Sequence, residues 1–289
     1  MATRSIEHQS RPFTSFPNAN YILPSDLKEK ERLNKQHSML KRVFGEKIIF
    51  APISIQPGDE VLETGTGTGV WLLDFRKSLP QSKDLSLYGI DIESKLFPST
   101  DLSAGALHFS VCSVTLLPRE WSEKFSMVHQ RFLMPALRKT EWPRALSEIY
   151  RVLKPGGWIQ LCEPGDWSAG PITEKHKAMR RALYDLRELD LECTKHMPTR
   201  LANVGFINVQ TIDRAMPLGE WGGQDGRECR NDIIAIWRAQ KTAILKSGGL
   251  GFVKSEQEFD TLIDDVEREW DATVGAETHW VAFYAQKPL

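Results

Sequence analysis

Between residues 59 and 162 the chain alternates short apolar runs with amphipathic stretches, predicting strands near 59–64, 86–91, 107–111, 126–130 and 157–162 with helices between them. Such alternation is the pattern of a parallel sheet covered by helices on both faces. The helix from Trp142 to Leu153 must stop at Lys154-Pro155-Gly156-Gly157, because proline cannot continue it and glycine permits the turn. Two further stretches, Phe206–Thr211 and Thr278–Gln286, alternate apolar and polar residues as sixth and seventh strands. The expected fold class is α/β, a Rossmann-like sheet of seven strands.

Three additions fall outside that core. Asp26 with Glu29 three residues later reads as a capping box opening a helix to about Phe44. Its apolar stripe, Leu33, Leu40, Val43 and Phe44, also contains Gln36 and His37, so two polar groups face inward. A lid over a site would use them; a plain cover over the sheet would only bond them to the fold. A second helix is expected from about Glu174 to Leu191, with Met179, Ala182, Leu183, Leu186 and Leu189 on one face. A helical pair follows the sixth strand, its later member opened by Ser255 and Glu258. The reading is therefore one domain over 21–289, with a lid helix in 21–50 and added helices in 171–200 and 225–272. Residues 1–20, with Pro12, Pro17, Asn18 and Asn20, are expected to form a mobile or draped tail.

Composition narrows the partners. The chain has 289 residues, 37 basic and 38 acidic, for a net charge of -1. That balance gives no reason to expect nucleic acid or an anionic membrane. Cys112, Cys162, Cys193 and Cys229 form neither a metal-ligand spacing nor a disulfide framework, and no metal site is expected. There is no secretory leader pattern and no run approaching the roughly eighteen apolar residues of a membrane span. A cytoplasmic protein is expected, with the nucleus left open and the oligomeric state undetermined.

The chemistry concentrates at Val61-Leu-Glu-Thr-Gly-Thr-Gly-Thr-Gly-Val-Trp71. Gly65, Gly67 and Gly69 let the backbone approach a ligand closely. Glu63 ends the first strand, where ligands of open α/β sheets bind. A dinucleotide fold would place glycine where Val70 stands, to pack a helix end against a pyrophosphate. Asp91 closes the second strand, at Leu87-Tyr-Gly-Ile-Asp91, and can accept from both hydroxyls of a ribose. A nucleoside without a pyrophosphate fits this pair better than a dinucleotide does.

These residues resemble the glycine turn and acidic strand end of class I methyltransferases. The wider pattern is similar to the LaeA-like methyltransferases of filamentous fungi, from about Tyr21 to Pro164. It is carried by Tyr21-Ile-Leu-Pro-Ser-Asp, Glu31-Arg-Leu-Asn-Lys-Gln-His37, Val61–Trp71, Gly89-Ile-Asp91, Val128-His-Gln-Arg131, Glu141-Trp-Pro-Arg144 and Leu153-Lys-Pro-Gly-Gly-Trp158. The last third matches only through Val204-Gly-Phe206 and Trp221. The resemblance implies S-adenosylmethionine (SAM) as cofactor, methylation of an O or N atom of a small-molecule secondary metabolite, or a regulatory role through protein partners. A SAM-dependent fold recruited for a non-methylating rearrangement is the third reading. The implied cofactor residues are Tyr21, Glu63, Thr64, Gly65, Gly67, Gly69, Trp71, Asp91, Ile92, Ser113, Val114 and Gln130. One departure stands out: an acidic residue usual after the third strand is replaced by Ser110-Val-Cys-Ser-Val114, leaving Ser113 or the Val114 backbone to meet the adenine.

Methyl transfer is an in-line displacement that needs positioning and, for a hydroxyl acceptor, a base. His37, His129 and Glu163 are the candidate catalytic groups, with Asp166, His176 and His196 also near the strand ends or added helices. Against each stands a structural reading: a satisfied core histidine for His129, a loop cap for Glu163, a solvated role for His176 and His196. The acceptor pocket is expected around Arg131, Phe132, Met134, Glu163, Trp167, His176 and Trp221, since tryptophan faces suit both a sulfonium and a flat organic molecule.

Overall fold

The computed structural model describes residues 5–8, 16, 21–79, 84–98 and 107–289. In chain order, α1 (Leu27–Val43) precedes β1 (Glu60–Thr64), α2 (Val70–Ser78), β2 (Ser86–Asp91), β3 (Leu107–Val111), β4 (Phe125–Arg131), α3 (Glu141–Val152) and β5 (Leu153–Ser168). Then come α4 (Pro171–Leu186), α5 (Cys193–Val204), β6 (Ile207–Pro217), α6 (Gly223–Ala239), α7 (Lys241–Lys246), α8 (Glu256–Ala272) and β7 (Glu277–Gln286). The seven strands form one sheet in the order β3-β2-β1-β4-β5-β7-β6. β7 runs antiparallel to β5 and β6, and the other pairings are parallel.

Strand alternation divides the core. Val61 packs with Trp71, Leu72 and Phe75 of α2, while its neighbour Leu62 faces the larger cluster that includes Trp142, Leu146 and Ile149 of α3. Register across the sheet aligns Glu63 with Gly89 and His129, and His129 with Gln160. The carboxyl ends of β1, β2 and β4 thus present Glu63, Asp91 and Arg131 to one edge of the sheet, where open α/β folds bind ligands.

Several boundaries differ from the expectation. β5 begins at Leu153 rather than 157: Phe125 pairs with Leu153 and Met127 with Trp158, so Pro155 and Gly156 loop out between paired residues, with Gly156 at φ 79°. α4 starts at Pro171, whose missing N–H costs nothing at a helix start, and ends at Leu186, which points outward at 58% exposure. The expected helical pair is three helices, α6, α7 and α8. α5, unforeseen, contains Pro198 near its middle and stops at Gly205, φ 108°.

α1 opens as predicted, with the Asp26 carboxylate accepting from Glu29 N–H at 3.0 Å. It docks on α6 through charge: Arg32 donates to Asp232 at 2.9 Å, Gln36 to the other oxygen of Asp232 at 2.7 Å, and Arg42 bonds Asp225 and Glu228. Most of the expected tail, residues 1–20, lies outside the described residues. Within it, Ile6 donates its N–H to Leu245 O at 2.9 Å. Among the described residues no helix is long and apolar enough to cross a membrane.

Candidate functional site

The glycine turn connects β1 to α2. Gly65, Gly67 and Gly69 all sit at positive φ, at 66°, 52° and 68°. Gly69 caps α2, and a Cβ there would fall 2.8 Å from the Phe109 ring; one on Gly65 would fall 2.8 Å from Leu133 Cδ2. The backbone angle favours glycine at all three positions, and at Gly65 and Gly69 a neighbouring side chain crowds a Cβ as well. Asp91 reaches across to the turn: its carboxylate accepts from Gly67 N–H at 2.9 Å and Glu93 N–H at 3.1 Å. Burial raises its pKa, opposed by these backbone donors and that of Ile92. Glu63 is 2% exposed and accepts from Thr66 Oγ1 at 2.6 Å; burial pushes it up to about 7, with Arg131 pulling the other way. Thr64 Oγ1 donates to Gln130 Oε1 at 3.0 Å, and Gln130 Nε2 is buried without a partner among the described residues.

α1 lies over this turn. Asn34 accepts from Thr68 Oγ1 at 2.9 Å, and Leu33 sits 3.4 Å from where a Gly67 Cβ would be. His37 is bonded at both ring nitrogens: Arg131 donates to Nδ1 at 3.1 Å and Nε2 meets Asp74 at 3.1 Å, with Lys41 on the same Asp74 oxygen at 2.8 Å. Burial first, then Arg131, lowers its pKa to about 4, so the ring is neutral with its proton on Nε2.

Beside the turn, a cavity of about 80 Å³ opens between α1, α4, α6 and the ends of β4, β5 and β7. Its walls are apolar and aromatic, including Leu33, Phe132, Met134, Trp167, Trp237 and Trp280. Tyr21 and Gln36 belong to it as well. Tyr21 joins the two halves: burial, then Glu29, raises its phenol, and both Asp91 and Tyr184 act on it. Phe132 takes φ 58°, a strained angle for a bulky residue, immediately after the last residue of β4. No His, Asp, Glu or Lys is among the described residues lining this cavity.

Several sequence candidates are elsewhere. Trp71 does not lie over the turn: it stacks on His129 with ring centroids 3.8 Å apart and on Phe75, under α2. His129, 1% exposed, is held there with Gln160 3.3 Å from Nδ1 and Nε2 without a partner among the described residues, and burial drives its pKa well down. Glu163 is fully buried, its two oxygens accepting from Leu133 and Met134 N–H at 2.9 and 3.1 Å. It caps the loop after β4 rather than facing an acceptor, and burial pushes it up to about 8. His176 is sealed behind the cavity wall, stacked on Trp237 at 3.8 Å. Trp221, 40% exposed, anchors the turn after β6 by donating to Ala276 O at 2.9 Å. Arg131 lies on the His37 side rather than in the cavity, while Phe132, Met134 and Trp167 do line it. Ser113 is held within its own turn, 2.9 Å from Thr115 Oγ1, beside buried Val114. His196 Nδ1 lies 2.8 Å from Asp190 and Asp166 is ion-paired to Lys177, both outside the cavity lining.

The sequence did not single out Arg180, Tyr184, Trp237 or Gln240, all of which line the cavity. A signal existed for two of them: His176, Arg180 and Tyr184 recur every four residues and so share one face of α4.

This sheet order, glycine turn and acidic end of β2 define a class I methyltransferase. Residues 61–157 match the family model described as a methyltransferase domain. Over the whole chain the sequence is 31% identical to N-methyltransferase verN of Clonostachys rogersoniana, covering 100% of both. It is 27% identical to N-methyltransferase sirN of Leptosphaeria maculans, covering 94% of this chain and 96% of that one. The chain belongs to the family of SAM-dependent methyltransferases that these fungal enzymes represent. Among solved structures, the fold is similar to Haemonchus contortus phosphoethanolamine N-methyltransferase 2 in complex with S-adenosylhomocysteine, with TM-score 0.51, 18% identity, and coverage of 93% of this chain and 55% of that chain. It is also similar to the [4+2]-cyclase SpnF, with TM-score 0.50, 16% identity, and coverage of 97% and 100%. These two likenesses concern the fold; the full-length sequence match carries the family. The protein is a SAM-dependent methyltransferase.

Proposed function

We propose that the chain methylates a nitrogen atom of a small, largely flat organic molecule held in the aromatic cavity. The observation that carries this reading is the cavity's lining, aromatic walls without a carboxylate or imidazole to serve as a base. A hydroxyl acceptor needs such a group, whereas a nitrogen with a free lone pair does not. The relatives verN and sirN are themselves named N-methyltransferases. Within the family, the order and spacing of Glu31–His37, Val128–Arg131 and Leu153–Trp158 support a place beside the LaeA-like group.

The residues at the glycine turn fit the cofactor. Gly65, Gly67 and Gly69 hold the turn at positive φ, and Asp91, with Gly67 and Glu93 N–H on its two oxygens, keeps acceptor capacity for the ribose. We assign the amino-acid end to Glu63 and Arg131: the guanidinium's one hydrogen bond among the described residues goes to His37, leaving further donors for a carboxylate. His37 and Asp74 orient Arg131 in this scheme, which makes His37 a positioning residue. Bound SAM supplies an electrophilic methyl carbon on a sulfonium. Tyr21 and Leu33 border both halves, and Phe132 and Met134 hold the acceptor on the far side of that carbon, an arrangement that converts binding into in-line geometry.

The test is incubation with SAM carrying a deuterated methyl group and a panel of secondary amines and matched alcohols, read by mass spectrometry. Label on nitrogen acceptors supports the reading. Label confined to the alcohols contradicts it.

A further inference from the structure

The wall that α4 gives to the cavity carries a cation without a counter-ion. Arg180 is 5% exposed, and its guanidinium lies 4.8 Å from the Trp167 ring centre, 5.2 Å from Tyr184 and 5.6 Å from Trp237. Nη2 donates to the Tyr184 hydroxyl at 3.1 Å; among the described residues Nε is buried with no partner and no ion pair holds the group. Neither neighbouring titratable ring supplies a negative charge. Burial raises the Tyr184 phenol above its usual range, and burial, then Arg180 itself, keeps His176 neutral. Gln240, 1% exposed, lines the same cavity with neither amide atom bonded among the described residues.

A buried guanidinium without an anion is costly, and aromatic faces offset only part of that cost. Its fork of donors matches a carboxylate. We propose that Arg180 is a specificity-determining residue that binds a carboxylate of the acceptor, so that the substrate class is an aromatic or heterocyclic molecule bearing an anionic arm. The inference rests on the methyltransferase reading. The cofactor's own carboxylate is the rival source of this anion, but Arg131 stands beside Glu63 at the end of β4 and Arg180 stands on the acceptor side.

Calorimetry on the full chain saturated with S-adenosylhomocysteine, using indole-3-acetate and its neutral counterpart indole-3-acetamide as probes, tests this. The acid should bind about tenfold or more tightly than the amide, the scale of a charged hydrogen bond. Arg180→Gln should erase that preference while S-adenosylhomocysteine affinity stays within about twofold, and Arg180→Lys, which keeps the charge, should retain part of it. No preference for the acid in the unmodified protein, through equal binding or none, would overturn the proposal. So would a preference that survives in Arg180→Gln. A folded Arg180→Gln protein that no longer binds S-adenosylhomocysteine would assign the guanidinium to the cofactor instead. Failure of the unmodified protein to bind S-adenosylhomocysteine would overturn the cofactor assignment and this inference together.

Discussion

His37 shows how much of a residue's setting comes from partners distant along the chain. Both ring nitrogens are engaged, one accepting from Arg131 and the other bonded to Asp74. Its pKa of about 4 lies below the ordinary 6.5, so the native ring stays neutral where the unfolded ring takes a proton. The stability it contributes is whole above 6.5 and is lost as pH falls from 6.5 towards 4, by at most about 3 kcal/mol. Denaturant unfolding at a series of pH values should show the stability advantage of the unmodified protein over His37→Gln shrinking across that window. His129 and His176 are present in both proteins and cancel. A difference that does not change with pH would contradict the account. That His37 is inward and polar was legible from helical spacing, but Asp74 and Arg131 are distant along the chain, and no local pattern announces them. Glu163 was similarly half-legible: its place at a strand end was visible, whereas its two bonds to Leu133 and Met134 N–H depend on the loop from another strand.

At the scale of elements, α1 covers the glycine turn through Asn34 and Leu33 and docks on α6 through Arg32, Gln36 and Arg42. Its inward polar groups are bonded to side chains of other elements, so the contact that a lid must break is a small set of ion pairs on partly exposed positions as well as buried ones. Hydrogen exchange should slow across residues 21–40 when S-adenosylhomocysteine is added. Exchange already slow without the ligand and indifferent to it would make α1 a fixed cover. The parallel strands were legible because apolar runs, turns and strand-end acids coincide from Val61 to Cys162. Helix α5 was not, because Pro198 speaks against helix locally while burial of Met197 overrides it. The cavity draws its wall from α1, α4 and α6 together, elements far apart along the chain, so its chemistry stayed hidden where that of the glycine turn did not.

Across the whole molecule, the account places a nucleoside cofactor at the ends of β1 and β2 and an acceptor in the aromatic cavity between α1, α4 and α6. Tyr21, Leu33 and Phe132 join the two sites at the end of the sheet. That arrangement depends on Asp91, which anchors the glycine turn through Gly67 N–H and, in our proposal, accepts from the ribose. The most direct test is calorimetric titration of S-adenosylhomocysteine into the unmodified protein and into Asp91→Ala, with thermal unfolding confirming that both are folded. The account predicts one saturable site in the former, weakened in the variant by about 1.5–3 kcal/mol, the loss of a charged hydrogen bond, or about ten- to a hundredfold in affinity. A folded Asp91→Ala protein that binds S-adenosylhomocysteine as tightly as the unmodified one would contradict it.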